Sequence, residues 1–317
     1  MKLLEEKEEK NQETYITKRP TVEAAENILG KKFPVLDYGF VRLVDYMGND
    51  SAVVQAARVS YGKGTKKVSE DEALIRYLMR HLHWSPFEMV ELKWHIKLPI
   101  YVARQWIRHR TANVNEVSGR YSEMPKEMHI PRLDEIRFQS ITNRQGSSEV
   151  KVPDEIAEKV IEGLRMHNED SYNLYMDMLK KNIAREQSRI VLPLNLYTEW
   201  YWKNDLHNTF HFLRLRLDEH AQYEIRLYAQ EMAKIMKKLV PVSYKAFEDY
   251  VLNAYNLSAI EAEIVADMVL QVRDNEKKGI QNLEDIISYY AQRITNSFER
   301  NEFKQKMRKM LNIKING

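Results

Sequence analysis

The chain has 317 residues, which is enough for one large domain or two small ones around a buried core. It contains no cysteine, which excludes a disulfide framework, a thiolate zinc site and a thiol nucleophile. The 49 Lys and Arg residues nearly balance the 46 Asp and Glu residues, so the formal net charge of +3 gives little support to a nucleic-acid partner.

The low content of glycine and proline, 10 and 9 residues, favours a mainly helical protein over an all-β one. No apolar run approaches the roughly 18 residues of a membrane span, and the N-terminal region is charged. We therefore expect a cytoplasmic protein that binds no membrane. Residues 1 to about 20 are rich in Lys and Glu without apolar periodicity, which predicts a mobile arm or a peripheral helix.

Two strands and two helices are predicted within the next eighty residues. Apolar and polar side chains alternate over residues 39–46 and again over residues 90–98, as in strands with one buried face. Ser51 is a candidate N-cap for a helix that ends near Val59. A second helix is predicted to open at residues 69–72, where a serine precedes three acidic residues and an apolar stripe follows.

A helix over residues 99–107 leads into residues 108–120, the segment most informative about function. Pro99 suits the first turn of a helix, and Val102 and Trp106 recur at helical spacing. The polar stretch at residues 113–118 is typical of a turn, in which side chains and bare backbone N–H groups can face a ligand. The sequence therefore predicts that a helix end delivers this segment to the surface.

Three arginines of this segment predict an anion site. A planar guanidinium offers paired donors that match phosphate or two carbonyl oxygens, so Arg108, Arg110 and Arg120 suit an anionic, oxygen-rich ligand. Glu116 could brace the arginines, or it could accept hydrogen bonds from sugar hydroxyls or a ring N–H, as in a nucleotide site. The alternative is a salt-bridged helix end that binds nothing.

The second half of the chain predicts long helices. A connector rich in Pro, Arg and Ser spans about residues 123–152, and a helix follows over about residues 154–181. Another helix is predicted from about residue 198 to 238. Residues 243–317 predict two or three further helices.

Two features of the predicted helix 198–238 suggest chemistry, each with a plain alternative. His207 and His211 stand four residues apart, with Asp218 beyond, a spacing that could place two imidazoles on one metal ion. Apolar residues surround them, so histidines at the edge of a core are the alternative. Arg216 could stabilise charge on the N–C=O edge of a uracil-like ring, or it could pair with an acidic neighbour at the surface.

An aromatic cluster is a candidate ring-binding platform. Trp200, Tyr201 and Trp202 are consecutive, and together with Tyr197 and Trp106 they could stack a flavin or pterin ring. Packing in the core is the alternative for such a cluster.

The pattern Arg108-His109-Arg110, seven further residues and Ser118 resembles the signature of the flavin-dependent thymidylate synthases. The likeness extends in the same order over roughly residues 35–245. The other segments that carry it are residues 39–60, 83–88, 103–106, 189–197 and 218–224.

This resemblance implies an α/β (α+β) fold, rich in helix, in which a mixed sheet packs against helices, with an additional C-terminal helical extension. The implied domains are an N-terminal arm at residues 1–34, a catalytic domain at residues 35–245 and the extension at residues 246–317. It also implies a homotetramer with sites shared between subunits.

The implied reaction is the reductive methylation of dUMP to dTMP. The one-carbon donor would be 5,10-methylenetetrahydrofolate, and FAD reduced by NADPH would supply the hydride. Enzymes of this family activate dUMP electrostatically and use no cysteine nucleophile. The absence of cysteine from this chain agrees with that mechanism.

Matching the family residue by residue gives a set of expected site residues, with no metal site and no nucleic-acid partner. Arg216 is the expected catalytic residue, because it matches the arginine that polarises the uracil ring and favours its N3-deprotonated form. The positions expected to bind FAD are Ser60, Ser85, Arg108, His109, Arg110, Glu116, Asp205 and His211. The positions expected to bind dUMP are Gln105, Arg108, Glu116, Val117, Ser118, Gly119, Arg120, Arg189 and Arg216. His83 and Tyr121 match residues that line the flavin and folate face.

Two departures and two rival functions accompany this hypothesis. Asp205 and His211 stand where some family members have Asn, which leaves the adenine and ribose contacts open at these positions. One rival is a metal-dependent nucleotide phosphohydrolase that uses His207, His211 and Asp218. The other is a helical RNA- or DNA-binding module that uses residues 108–120.

Overall fold

The computed structural model describes residues 19–59, 71–141, 146–270 and 283–311. The chain divides into two compact units, one that ends at Leu252 and one that begins at Asn253. Ser60 and most of the predicted N-terminal arm lie outside the described residues. Within the described ranges, no helix is both long enough and apolar enough to cross a lipid bilayer.

Five strands of the first unit form one antiparallel sheet in the order β1-β2-β3-β7-β4, and β5 and β6 form a separate pair. The strands are β1 (Phe33–Val35), β2 (Gly39–Met47), β3 (Glu91–Pro99), β4 (Asn113–Glu116), β5 (Arg137–Gln139), β6 (Ser147–Lys151) and β7 (Tyr197–Asp205). The helix-rich α+β class is confirmed, but these strand pairs are antiparallel and not mixed. The connection between the first two long strands explains this antiparallel pairing. Met47 at the end of β2 pairs with Glu91 at the start of β3, so the intervening helices bring the chain back to the same end of the sheet and β3 runs opposite to β2.

Helices pack on this sheet in the first unit, and the described part of the second unit is also helical. In the first unit they are α1 (Glu23–Glu26), α2 (Asp50–Val59), α3 (Asp71–Arg80), α4 (Ile100–Trp106), α5 (Asp154–Lys180), α6 (Arg185–Ser188), α7 (Leu206–Arg216), α8 (Tyr223–Leu239) and α9 (Pro241–Phe247). The second unit contains α10 (Ala259–Leu270), α11 (Leu283–Ala291) and α12 (Ser297–Met310). Short 3-10 turns occupy Phe87–Met89, Leu133–Glu135 and Arg189–Val191, and a π turn occupies Glu248–Leu252.

Trp106 anchors the end of α4 in the core. Its ring is fully buried and packs edge-on against Trp202 at 5.5 Å and tilted against Phe212 at 4.3 Å between ring centroids. Trp200 and Tyr197 are also buried, so most of the aromatic cluster packs in the core. Tyr201 differs, because it is exposed, on the face of the sheet opposite to Trp200 and Trp202, and stacks on His95.

Several predicted elements are confirmed. Residues 39–46 lie in β2 and residues 91–98 of the second predicted strand lie in β3, the helix expected at residues 99–107 is α4, and the one expected at residues 154–181 is α5. The helix after Ser51 is α2, although the side chain of Asn49 caps it, accepting from the backbone N–H of Ser51 at 3.0 Å.

Two elements were predicted wrongly. The single helix at residues 198–238 is strand β7 followed by helices α7 and α8, because the alternating aromatic residues of β7 bury one face of a central strand. The turn expected at residues 113–118 begins as β4, an edge strand of four exposed residues whose pairing with β7 overrides the low strand propensity of its asparagines.

The second unit has its own small core and agrees with the helices expected after residue 243. Ile264, Ile287 and Phe303 are fully buried, one on each of its three described helices. The ammonium group of Lys306 donates to Glu261 at 2.7 Å, and Arg308 pairs with Glu284.

Candidate active site

The end of α4 presents the arginine-rich segment to solvent. The N–H of Arg108 donates to the carbonyl of Gln105 at 3.3 Å, and the N–H of His109 donates to that of Trp106 at 2.9 Å, which closes the last turn. Since Trp106 is fixed in the core, the next residues must emerge beside it. Arg108 and Arg110 are exposed, and neither guanidinium has an acidic partner among the residues described.

Three of the predicted site residues, Gln105, His109 and Arg216, are in contact, and we call them the Arg216 group. Arg216, in the last turn of α7, donates from Nε to Nε2 of His109 at 3.1 Å and from Nη2 to the carbonyl of Gln105 at 3.2 Å. A guanidinium has five N–H donors, so these bonds leave donors for a ligand. The half-buried Arg216 is thus held by α4, contrary to the surface ion pair considered as its alternative.

Burial in the Arg216 group disfavours positive charge. It lowers the pKa of His109 to about 4, with further lowering from the positive charge of Arg216 and from His211. It also lowers the pKa of Arg216, whose guanidinium nevertheless stays protonated near neutral pH. At pH 7 the pair is therefore a neutral imidazole that accepts a hydrogen bond from a cationic guanidinium.

Four other predicted residues meet at the loop after β4, and we call Ser118, Gly119, Arg120 and Arg189 the loop group. Gly119 is buried, and a Cβ placed on it would lie 3.3 Å from Cδ of Arg189 and 3.0 Å from Sδ of Met124. The hydroxyl of Ser118 accepts from the backbone N–H of Arg120 at 3.3 Å. A side chain at this position would therefore have to displace Arg189 and Met124.

The side chain of Arg120 forms an ion pair with a residue of α6, which the sequence did not predict. Its guanidinium lies 3.1 Å from the carboxylate of Glu186, and both side chains are exposed. Glu186 and Arg189 belong to consecutive short turns, so this pair brings Arg120 to the same place as Arg189. Only one indication that Glu186 lies near the arginines was present in the sequence, which is its spacing of three residues from Arg189.

Glu116 and Val117 line a cavity of about 370 Å³ on the outer face of the sheet. The carboxylate of Glu116 accepts from the hydroxyl of Thr198 on β7, a partner that sequence reasoning missed. The cavity also contains His95, hydrogen-bonded to Glu199, but its lining includes none of the four arginines expected to bind dUMP. Met124 lines this cavity and is also the side chain nearest to Gly119, so the Glu116 cavity adjoins the loop group. The lining includes no residue of the Arg216 group.

Of the remaining predicted residues, Asp205 precedes α7, His211 lies within it, and Ser85 follows α3. Asp205 caps α7, accepting from the N–H of Asn208 at 2.8 Å, and His211 lies edge-on to His109 with ring centroids 5.7 Å apart. Burial lowers the pKa of His211. Ser85 is exposed.

The residues expected at the flavin and folate face are both open to solvent. His83 is exposed and lies edge-on to Tyr77 at 5.9 Å, and the side chain of Tyr121 is 80% exposed.

The possible metal site is not assembled. Nδ1 of His207 lies 2.9 Å from Oε1 of Glu88, and its ring stacks on Trp84 at 4.6 Å. Among the described residues, no group of three or more His, Asp or Glu side chains is arranged to hold a metal ion. The packing alternative therefore accounts for His207.

Comparison with known proteins gives a consistent family assignment. Residues 42–242 match the family model described as thymidylate synthase complementing protein. Flavin-dependent thymidylate synthases of Gluconobacter oxydans and Treponema denticola are 56% and 53% identical over 261 and 251 residues. These alignments cover 81% and 79% of this chain and 86% and 94% of the two relatives.

A solved structure supports the same assignment. The UMP/dUMP methylase PolB from Streptomyces cacaoi, bound with 5-Br dUMP, is 31% identical, with a TM-score of 0.63. The likeness covers 69% of this chain and 99% of that one. The chain belongs to the flavin-dependent thymidylate synthase family.

Proposed function

We propose that this protein methylates dUMP to dTMP, with 5,10-methylenetetrahydrofolate as the one-carbon donor and FAD reduced by NADPH as the hydride source. The observation that carries the proposal is the Arg216 group, in which a half-buried guanidinium is oriented by two acceptors and keeps further donors for a ligand. The names of the relatives and the dUMP analogue bound to PolB support the choice of cofactor and substrate.

Arg216 is proposed to activate the uracil ring. A cation fixed beside the N3–C4=O edge stabilises the negative charge that develops when N3 loses its proton, and burial strengthens this interaction because less water screens it. Such activation replaces the addition of a thiol to the ring, and the chain contains no cysteine. Arg216 is the residue we assign as catalytic.

The remaining dUMP contacts are proposed to divide between base and phosphate. Gln105, Arg108 and Glu116 would face the nucleoside, and Val117 would pack beside it. The loop group would bind the phosphate, because the guanidiniums of Arg120 and Arg189 lie at the same turn and paired donors of this kind match phosphate.

The residues near the ends of α4 and α7 fit a flavin dinucleotide. The exposed guanidiniums of Arg108 and Arg110 suit a pyrophosphate, and the carboxylate of Asp205 can accept from ribose hydroxyls. The proposed FAD contacts are Ser60, Ser85, Arg108, His109, Arg110, Glu116, Asp205 and His211. FAD would supply the hydride chemistry that side chains cannot provide. His83 and Tyr121 would line the face shared by flavin and folate.

A homotetramer with shared sites is the proposed assembly. Helix α5 exposes Ile156, Val160 and Leu174 along one stripe, and Ile190 and Leu194 are exposed beyond its end. Apolar stripes of this kind are typical of subunit contacts. Assembly would also explain why the Arg216 group does not line the Glu116 cavity within one chain, because neighbouring subunits can supply the missing walls.

The proposal predicts a yellow protein that forms dTMP only when dUMP, methylenetetrahydrofolate and NADPH are all present. Arg216→Ala should lower kcat by about 100- to 1,000-fold, the usual loss when one group that stabilises developing charge is removed. Arg214→Ala is the matched control, since this exposed arginine lies two residues away and points to another face of α7. A colourless protein without affinity for FAD would contradict the proposal, as would an Arg216→Ala variant with wild-type turnover.

A further inference from the structure

The ring of His109 is fixed on three sides. Its backbone belongs to the turn that closes α4, through the hydrogen bond to Trp106. Phe212 lies edge-on to the imidazole, with ring centroids 4.9 Å apart, and His211 contacts it at 5.7 Å. A side chain so enclosed has few alternative rotamers, so the direction of its Nε2 lone pair is set by packing.

The contact with Arg216 requires one tautomer of His109. The Nε–H of Arg216 donates to Nε2, so Nε2 must carry a lone pair and the imidazole proton must reside on Nδ1. The titratable groups that face the imidazole are Arg216 and His211, and both disfavour a second proton. Burial acts in the same direction, so His109 remains an acceptor well below neutral pH.

We infer that His109 is a positioning residue for Arg216, serving as a neutral hydrogen-bond acceptor that fixes the plane of the guanidinium. With Nε held by His109 and Nη2 held by the carbonyl of Gln105, rotation about the end of the arginine side chain is blocked. The donors of Nη1 then keep one direction before substrate arrives, which reduces the entropy lost on binding. This inference rests on the proposed function, because it assigns His109 a task toward the uracil-activating arginine beyond contact with flavin.

Two amide variants separate this role from simple packing. The side-chain oxygen of a glutamine at this position can reach the place of Nε2, whereas that of an asparagine reaches only the place of Nδ1. We therefore compare His109→Gln with His109→Asn, each loaded with FAD and corrected for flavin content. Losing one acceptor for Arg216 should cost about tenfold, the effect of one hydrogen bond.

The first readout is the ratio of dTMP formation to NADPH oxidation measured without dUMP. His109→Asn should lower this ratio about tenfold, and His109→Gln should lower it less than about threefold. Equal ratios in both variants and the wild type would overturn the inference, and so would equal losses. If the wild type itself forms no dTMP, the proposed function fails, whatever the two variants do.

The second readout is independent of activity. Nitrogen NMR of the full chain labelled at histidine, with the signal of His109 assigned by its absence in His109→Gln, reports the protonation of each ring nitrogen. We expect an unprotonated Nε2 and a protonated Nδ1 at pH 7, with titration near pH 4. A proton on Nε2, or titration at the ordinary histidine pKa, would overturn the inference even if dTMP is formed.

Discussion

Replacing Gly39 with alanine should destabilise the first unit sharply, because three atoms occupy the space that a side chain would need. Gly39 is buried at the start of β2. A Cβ there would collide with Oη of Tyr228 and would lie 2.6 Å from the carbonyl oxygen of Val35 and 2.8 Å from that of Lys97. The tyrosine could move, but the two carbonyl oxygens belong to neighbouring strands and are fixed by the sheet.

The expected loss of unfolding free energy follows from these contacts. Moving Tyr228 breaks its 2.8 Å hydrogen bond to the carbonyl of Lys97, which costs about 1 kcal/mol. Forcing a methyl group into the filled space between strands costs about 1–3 kcal/mol more. Gly39→Ala should therefore lose about 2–4 kcal/mol.

Gly163→Ala is the matched control, with the opposite sign. Gly163 lies in the middle of α5, and no atom lies within 4 Å of the position of its Cβ. Alanine should stabilise this helix by about 0.5–1 kcal/mol.

Denaturant titration followed by tryptophan fluorescence reports on the first unit alone, because all five tryptophans precede residue 252. Adding Tyr228→Phe to Gly39→Ala should not restore stability, since both backbone clashes remain. A Gly39→Ala protein as stable as the wild type would refute the reasoning.

Three further predictions concern pH and the loop group. Burial tends to raise the pKa of Asp37, but hydrogen bonds from His129 and Tyr197 outweigh burial and lower this pKa. The stability that these bonds confer should therefore be lost as pH falls from 3.8, the ordinary pKa of the carboxyl group, toward its lower native pKa. Asp37→Asn should flatten this part of an acid-unfolding curve, and an unchanged curve would disprove the prediction. Because the native pKa of His109 is lowered, the unfolded chain binds a proton at a higher pH than the native protein does. The free energy of unfolding should therefore fall by at most about 3 kcal/mol between pH 6.5 and pH 4. Urea titrations of His109→Gln should show no such loss. Gly119→Ala should weaken dUMP binding about tenfold by pushing Arg189 away, measured by calorimetry, whereas unchanged affinity would show that the loop group does not hold the phosphate.

The periodic elements of the fold were predictable from sequence because one face of each is buried. Alternation predicted β2 and β3, and the 3.6-residue spacing predicted α4 and α5. Strand β7 was missed because its run of aromatic residues suits a helix or a strand, and only pairing with β3 on one side and β4 on the other decides between them. Pairing of this kind joins residues about a hundred positions apart, which local patterns do not report.

The proposed site was predictable where the motif is local and not where tertiary contacts create it. The arginine-rich segment and the proposed role of Arg216 came from the sequence, and the structure brings Arg216 to His109 across 107 positions. The acceptor role of His109 and the approach of Gly119 to Arg189 depend on burial and on how α7 and α6 pack, so they required coordinates. The pairing of Glu116 with Thr198 likewise depends on the register of β4 against β7.

The central claim is that a fixed guanidinium activates dUMP beside a bound flavin. The most direct measurement is dTMP formation by the purified, FAD-loaded protein with dUMP, methylenetetrahydrofolate and NADPH, comparing the wild type with Arg216→Ala and Arg214→Ala. The account predicts turnover in the wild type and in Arg214→Ala, and a loss of about 100-fold or more in Arg216→Ala. Formation of dTMP at the wild-type rate by Arg216→Ala, or by protein freed of flavin, would contradict it.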